Sequence, residues 1–385
     1  MARGLLATDA VDLGVIAPAR VRRFASCDLH QVRQWLVPAK ETLGDDGLPA
    51  ATQVRAIVEA VSEFGPDLVH VWGTETYWGL LTARELLKYP TLLDIQGLKG
   101  PIAKVFYGGL TLIEQLRCTG PKELLKRRTM HSDRRDFARW GTFEREIIRG
   151  HRFIGVQSAW VTAHVMAANP EARTYSVDLA LRPPFYAQHP WRPAESPIVF
   201  CSAAYSAPFK GLHVAIRALE LLRRRIPKAR LRIAGAHQRS GVRQDGYVRW
   251  LNRMVSRLGL EDAVDWLGPL DAEQIAAELR HAGAAVIPTF IENCCAAAQE
   301  AMAIGTPVVA SYAGGIPSLG SDGDCCLFFP PGDEVMCAHL LALVLTDSEL
   351  ALRLSRISRQ VAVARNNPER IVQRQLEIYR HVLSG

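Results

Sequence analysis

Apolar and polar residues alternate between helix-like and strand-like periods from Ala51 onward. In QVRAIVEAVSEFG, Val54, Ile57, Val58 and Val61 share one face of a 3.6-residue period, which predicts a helix that Gly65-Pro66 ends. DLVHVWG, residues 67–73, is a short apolar run ending in glycine and reads as a strand. A helix over 78–87 and a strand TLLDIQG over 91–97 follow. Strand, helix and strand with short joints predict a parallel sheet. Residues 98–140 are less regular and hold a Gly-Gly pair and the charged stretch HSDRRDFARW. A helix from Phe137 to Arg149, a strand over 152–158, a helix over 159–168 and a strand over 173–181 complete this half.

Arg182–Pro197, RPPFYAQHPWRPAESP, is dense in proline and aromatics and marks a domain boundary. Beyond it the pattern restarts. Strands IVFCSAAYS, RLRIAGA, VDWLG, AAVIPTF, PVVAS and DCCLFFP alternate with helices, giving a second parallel α/β domain. From Pro368, ERIVQRQLEIYRHVL predicts an amphipathic helix with Ile371, Leu376, Tyr379 and Leu383 as its stripe. The expected organisation is therefore a first domain over 1–190, a second over 191–366 and a terminal helix over 367–385.

Composition narrows the class. Of 385 residues, 48% are hydrophobic and 22% charged, which excludes a disordered chain and suits two cores. The net charge of +7 suits an anionic partner or surface without naming one. The eight cysteines include the adjacent pairs Cys294-Cys295 and Cys325-Cys326, and neither has the C-x-x-C spacing of zinc or redox sites. Acidic residues near the start argue against a secretory signal, and no run of 18 apolar residues is present. G-x-G-x-x-G after an early strand, the P-loop, H-E-x-x-H and G-x-S-x-G are all absent. Arg223–Arg225 ends a helix whose dipole it complements, so nucleic acid is not an expected partner.

Parallel sheets bind ligands beyond the carboxyl ends of their strands. After AAVIPTF comes Ile291-Glu292-Asn293-Cys294-Cys295 and a helix rich in alanine, with Ala296 near its start and Glu300 eight residues after Glu292. The unpaired N–H groups of such a helix start suit a diphosphate. The bland alternative for Glu292 is a carboxylate complementing the helix dipole, and for Glu300 a solvated face. Lys210, in Pro208-Phe209-Lys210-Gly211, is placed to reach phosphate oxygens or is an ordinary exposed lysine. Gly235 and the loop around Leu267-Gly268 are further candidate walls. In the first half, His70, Trp72, Thr74, Glu75, Asp94 and Gln96 suit a neutral hydroxylated substrate, with His70 alternatively a satisfied core histidine. Residues 117–152 carry eleven Lys or Arg against five Asp or Glu, beside the apolar VFYGGLTLIEQL. This is either a basic segment resting on an anionic membrane or a solvated loop.

PTFIENCCAAAQEAMAIGTPVVAS resembles the retaining, nucleotide-sugar-dependent glycosyltransferases of family 4, and PDLVHVWG is similar to the family's first-domain PDxxHxxG. The resemblance implies the GT-B architecture, with two Rossmann-like domains facing a cleft and a last helix crossing back to the first. It further implies that Glu292 contacts the donor sugar, Glu300 the ribose hydroxyls and Lys210 the diphosphate. Asn293, Cys294, Cys295 and Ala296 supply the helix start, with Gly235 and Leu267 lining the nucleotide. Tyr205 stands where the family commonly has arginine, and Gln96 where many members have histidine; Gln96 is expected to hold sugar or acceptor by hydrogen bonds, with His131 as a substitute. The family's opening strand and glycine-rich loop have no counterpart in residues 1–20, so neighbouring strands are expected to carry unpaired edges.

The implied function is retaining transfer of a sugar from a nucleoside-diphosphate sugar to a hydroxyl of a glycan or glycolipid, without cofactor or metal. The implied location is the cytoplasm, with peripheral contact to the inner membrane surface. A catalytically inactive glycan- or nucleotide-binding scaffold and a nucleotide-sugar epimerase of the same fold are the alternatives.

Overall fold

A computed structural model describes residues 2–29, 32–39, 42–125, 128–186, 191–193, 196–202, 207–235 and 245–385. The chain forms two compact units, each discontinuous in sequence. One comprises Met1–Gly100, Arg139–Ala180 and Asn367–Gly385, the other Pro101–Ala138 and Leu181–Asn366. Residues 101–138, expected in the first domain, thus group with the second, and the terminal helix groups with the first.

The first unit holds strands β1 (Gly14–Ala19), β2 (Ala25–Leu29), β3 (Val32–Pro38), β4 (Val69–Trp72), β5 (Thr91–Asp94), β6 (Phe153–Val156) and β7 (Arg173–Ser176). They form two sheets. One has the order β1-β3-β2, with β1 parallel and β2 antiparallel to β3. The other is the all-parallel β4-β5-β6-β7. Among the described residues the outer edges of β4 and β1 have no strand partner. Strands β2 and β3 carry no readable pattern. β2 is exposed throughout, while β3 buries Val32, Trp35 and Val37, a spacing that fits neither period.

The helix Ala51–Phe64 buries Ile57, Ala60 and Val61 and stops at Gly65, whose positive φ lets its N–H reach the Val61 carbonyl. The terminal helix Pro368–Ser384 is capped by Asn367 and seats Ile378 and Val382 against Leu92, Phe153 and Tyr175. Its buried stripe runs through Ile371, Val372, Leu376, Ile378 and Val382. The expected Leu383 is half exposed, and the hydroxyl of the expected Tyr379 bonds His70 Nδ1 at 2.8 Å.

The second unit is built on one parallel sheet of β8 (Ile198–Ser202), β9 (Arg230–Ala234), β10 (Val264–Gly268), β11 (Ala284–Ile287), β12 (Val308–Ser311) and β13 (Cys326–Phe329). Its order is β10-β9-β8-β11-β12-β13. β11 and β12 are buried at every position, as an apolar strand covered on both faces must be. The chain runs outward in one direction from β8 to β10, then returns to place β11 on β8's other side. The order therefore reverses between β8 and β11, and the crevice beyond their carboxyl ends is where such a sheet accepts ligands. The helix Ser348–Arg365, which the sequence pattern did not reveal, buries Ala351, Leu354, Ser355, Ser358 and Ala362, a stripe of mostly small residues among arginines.

Candidate active site

The carboxyl ends of β8 and β11 bring together the residues that the sequence separates by about eighty positions. After β8, Pro208–Lys210 makes a single 3-10 turn closed by Gly211 at φ +71°. A side chain at Gly211 would sit 1.8 Å from the Pro288 carbonyl oxygen, so only glycine lets this turn lie against the loop after β11. That loop is fastened to the turn by its backbone. Phe290 N donates to the Phe209 carbonyl at 2.7 Å, and the Thr289 hydroxyl lies 3.0 Å from the same oxygen. Ser311, at the end of β12, donates to the Thr289 carbonyl. Lys210 is thereby set against Glu292, Nζ to Oε1 at 2.5 Å. Burial opposes the charge on Lys210, and the adjacent Glu292 carboxylate more than offsets it, so the lysine pKa is raised and the ammonium is retained.

Glu292 is fixed from a third side by Gly314 and Gly315, which follow β12. Gly315 N donates to the Glu292 carbonyl at 2.8 Å, and a Cβ on Gly314 would lie 2.1 Å from that oxygen. Sequence reading passed over this pair, although a Gly-Gly just past a strand end was a usable signal for close backbone approach.

The helix Ala296–Ile304 begins beside Glu292. Its N-cap, Cys295, adopts φ +44°, rare for a residue with a side chain, and no side chain caps the helix start. Asn293 is buried, and its Nδ2 has no hydrogen-bond partner, an unmet donor next to unpaired backbone N–H groups. Cys294 is held by Gln299, whose Nε2 donates to its carbonyl at 2.7 Å, and Gln299 in turn accepts from Asn366 Nδ2 at 2.6 Å. Burial raises the Cys295 thiol well above its usual range, which suits a packing residue. Ala296 leaves the helix start unobstructed by its own small side chain.

Glu300 lies in the second turn of this helix with its side chain only 9% exposed. Burial raises its pKa, and Arg182 opposes that rise by donating Nη2 to Oε1 at 2.8 Å and Nε at 3.2 Å. Arg182 also lies over the ring of Phe185 at 5.1 Å. This arginine was missed because it sits in the proline-rich boundary, far from any motif. Gly235 closes β9 at φ +87° and donates its N–H to the Gly268 carbonyl at 2.6 Å. Leu267 sits at the register shift between β10 and β9. A cavity of about 560 Å³ lined by Ile198, Arg230, Asp265 and Leu267 lies along the β8–β10 half of the sheet. Its walls include the starts of β8, β9 and β10, and it contains neither Lys210 nor the two glutamates. The carboxyl-end crevice is the better ligand site because the unpaired donors lie there. Tyr205 and the rest of 203–206 lie outside the described residues.

Gln96 belongs to the first unit, past the end of β5, and its Nε2 is buried without a partner. The Glu75 side chain lies over Gly73 and Gly97, which have no room for a Cβ beneath it. Burial pushes the Glu75 pKa up. His70 Nδ1 is tied to the Tyr379 hydroxyl at 2.8 Å, while its Nε2 lies 3.1 Å from Asp94 Oδ2 and is buried without a hydrogen-bond partner, so the expected core histidine is satisfied at one nitrogen. His131 Nδ1 lies 2.7 Å from the Tyr107 hydroxyl.

Residues 187–361 match the family described as glycosyl transferases group 1. Over 151 residues the chain is 32% identical to a D-inositol 3-phosphate glycosyltransferase of Corynebacterium efficiens, covering 39% of this chain and 35% of the relative. Over 181 residues it is 35% identical to a glycogen synthase of Mycobacterium tuberculosis, covering 47% and 41%. The chain thus spans less than half the length of these curated relatives. Solved structures extend the likeness. Sucrose-phosphate synthase from Thermosynechococcus elongatus gives a TM-score of 0.73 at 20% identity over 99% of this chain and 91% of that one. Anabaena HepE in complex with UDP and glucose gives 0.63 at 17% identity, covering 90% and 86%. At such identities the likeness establishes the α/β fold, that of the GT-B class. The stretch that matches the glycosyl transferases group 1 family, residues 187–361, includes Lys210, Glu292 and Glu300.

Proposed function

We propose that the protein is a retaining glycosyltransferase that moves a sugar from a nucleoside-diphosphate sugar to a hydroxyl of a glycan or glycolipid. The observation that carries this reading is the convergence of Lys210, Glu292 and an uncapped helix start at the sheet's reversal point. The relatives' names support glycosyl transfer, and HepE, a neighbour in fold, was solved with UDP and glucose.

In this reading the diphosphate sits on the N–H groups of the helix start. Lys210 turns from Glu292 to its oxygens, and Asn293 Nδ2 supplies a further donor. Freed from the lysine, Glu292 accepts hydrogen bonds from the donor sugar. Glu300 exchanges part of its contact with Arg182 for paired ribose hydroxyls. Gly235 and Leu267 flank the nucleoside. The sugar's bond to the β-phosphate oxygen breaks as the acceptor oxygen bonds the same face of the anomeric carbon, and the acceptor proton passes to the departing phosphate. The charge that grows on that phosphate is met by preorganised donors already in place. Lys210 and the backbone provide this positive charge without a metal or cofactor. Gln96 is assigned to the acceptor through hydrogen bonds. The protein acts in the cytoplasm.

Incubation with a panel of nucleotide sugars, with and without glycan acceptors, tests this by product mass and anomeric configuration. A retained-configuration glycoside is the expected product. Interconverted donor without transfer would assign an epimerase, and nucleotide binding without any turnover a scaffold.

A further inference from the structure

The segment 111–125 is packed inside out. Its two short helices, Leu112–Arg117 and Pro121–Leu125, turn their acidic and polar side chains towards the body of the second unit, to which they belong, and their leucines to solvent. Glu114 closes a capping box with Thr111 and pairs with Arg217 at 2.6 Å. Glu123 accepts from the N–H groups of Gly120 and Gly246 at 2.9 and 3.1 Å and meets Arg249 at 3.3 Å. Gln115 and Cys118 are buried. Outside, Leu112, Ile113, Leu116, Leu124 and Leu125 are 62–87% exposed. The apolar stretch VFYGGLTLIEQL does not expose its aromatics here. Instead Phe106 is buried, and the Tyr107 hydroxyl is engaged by His131.

A run of five exposed leucine and isoleucine side chains is an unusual cost for a surface unless something covers it. Charge indicates what does. Residues 111–128 contain five basic residues, Arg117, Lys122, Lys126, Arg127 and Arg128, and only the two acids just described. Both acids are spent inward on arginines of the body. Arg117 and Arg128 are exposed, and Arg128 meets Asp133 at only 4.0 Å. The outward face is therefore apolar with a cationic border, the complement of an anionic bilayer, whose headgroups take the charge while acyl chains take the leucines. A protein partner would need an acidic rim around an apolar pocket, whereas a lipid surface supplies both without shape matching. No single helix among the described residues is long and apolar enough to cross a membrane.

We propose that the leucine face of 111–125 docks the protein onto anionic lipid membranes. The segment belongs to the unit that carries Lys210 and is fastened to it just upstream. His213 bonds the Gly108 carbonyl at 2.9 Å, and a Cβ on Gly108 would lie 2.3 Å from the Pro208 carbonyl. Docking therefore presents the Pro208–Lys210 turn at a fixed distance from the lipid surface. The docking itself stands independently of the donor chemistry.

Sedimentation with phosphatidylcholine vesicles, with and without phosphatidylglycerol, tests it. The wild-type chain should pellet with the anionic vesicles, less so as salt is raised, and the double variant Leu116→Ser/Leu125→Ser should bind roughly tenfold or more weakly. Arg117→Gln should weaken binding less and flatten its salt dependence. Because the leucines are exposed, both variants should keep the wild-type thermal midpoint and nucleoside-diphosphate affinity. Absence of wild-type binding, or unchanged binding by the folded leucine variant, overturns the proposal. So does a concentration-dependent dimer that the leucine variant abolishes, which would assign the face to a second copy of the chain.

Discussion

The strand ends of the two units solve opposite chemical problems. Beyond β8 and β11 the charged groups are paired, Lys210 with Glu292 and Arg182 with Glu300, beside the single unmet donor of Asn293, and the backbone beneath them is clamped by Gly211, Gly314 and Gly315. Beyond β4 and β5 the polar groups are buried and incompletely satisfied. Gln96 Nε2 and Asp94 Oδ1 have no partner, and burial raises the Glu75 pKa. Paired charges on a fixed frame wait for a ligand that brings its own charges and exchanges partners. An unmet amide donor, an unmet carboxylate acceptor and a carboxyl biased towards its protonated form suit hydroxyl groups, which donate and accept. Under the proposed function the charged end receives the anionic diphosphate and the other the hydroxylated acceptor.

The largest expected effect sharpens the charged end. Glu292→Gln should lower turnover by roughly 100-fold or more while the thermal midpoint stays near wild type, measured by donor consumption and calorimetry. Equal activity would remove Glu292 from the reaction. Next comes the frame. Gly314→Ala places a methyl group 2.1 Å from the Glu292 carbonyl at φ +56° and should cost ~1–3 kcal/mol and most of the nucleotide affinity. Gly323→Ala, at φ +80° with nothing within 4 Å, is the control: it should show strain of ~1–2 kcal/mol without loss of affinity.

Acid and base should separate the units more gently. Burial lowers the His213 pKa to about 4 in the second unit and raises that of Glu144 to about 7 in the first. The unfolded state takes up the histidine proton first, so His213 makes stability fall as pH drops from about 6.5 to about 4. Glu144 holds its proton in the folded state, so its contribution is lost as pH rises from about 4.5 through 7. In melting curves, His213→Gln should flatten the acid limb, and Glu144→Gln the limb towards neutrality. Identical pH profiles for both variants and wild type would contradict these assignments. The smallest effect is expected from Arg182→Ala. It should change nucleotide affinity by only a few-fold if, as proposed, its partner Glu300 passes to the ribose hydroxyls.

The parts legible in the sequence were those with a local cause. The inner strands β8, β11 and β12 of the second unit's sheet are apolar runs between turn residues, and the Glu292–Glu300 stretch reads as strand, loop and helix start in order. What stayed hidden depends on distant contacts. Helix 348–365 has a small-residue stripe visible only against its neighbours. Arg182 reaches Glu300 across 118 positions, and Gly314 matters only because the Glu292 carbonyl lies above it. The placement of 101–138 was illegible for the same reason. Glu114 and Glu123 look like a solvated face until Arg217 and Arg249, over a hundred residues later, draw them inward.

The decisive experiment is calorimetry of Lys210→Ala with nucleoside diphosphates and the corresponding nucleosides. If the helix start and Lys210 receive the diphosphate, the variant should bind the diphosphate roughly tenfold or more weakly while nucleoside affinity stays at the wild-type value. Equal loss for both ligands in a folded variant, or no loss for either, would contradict it.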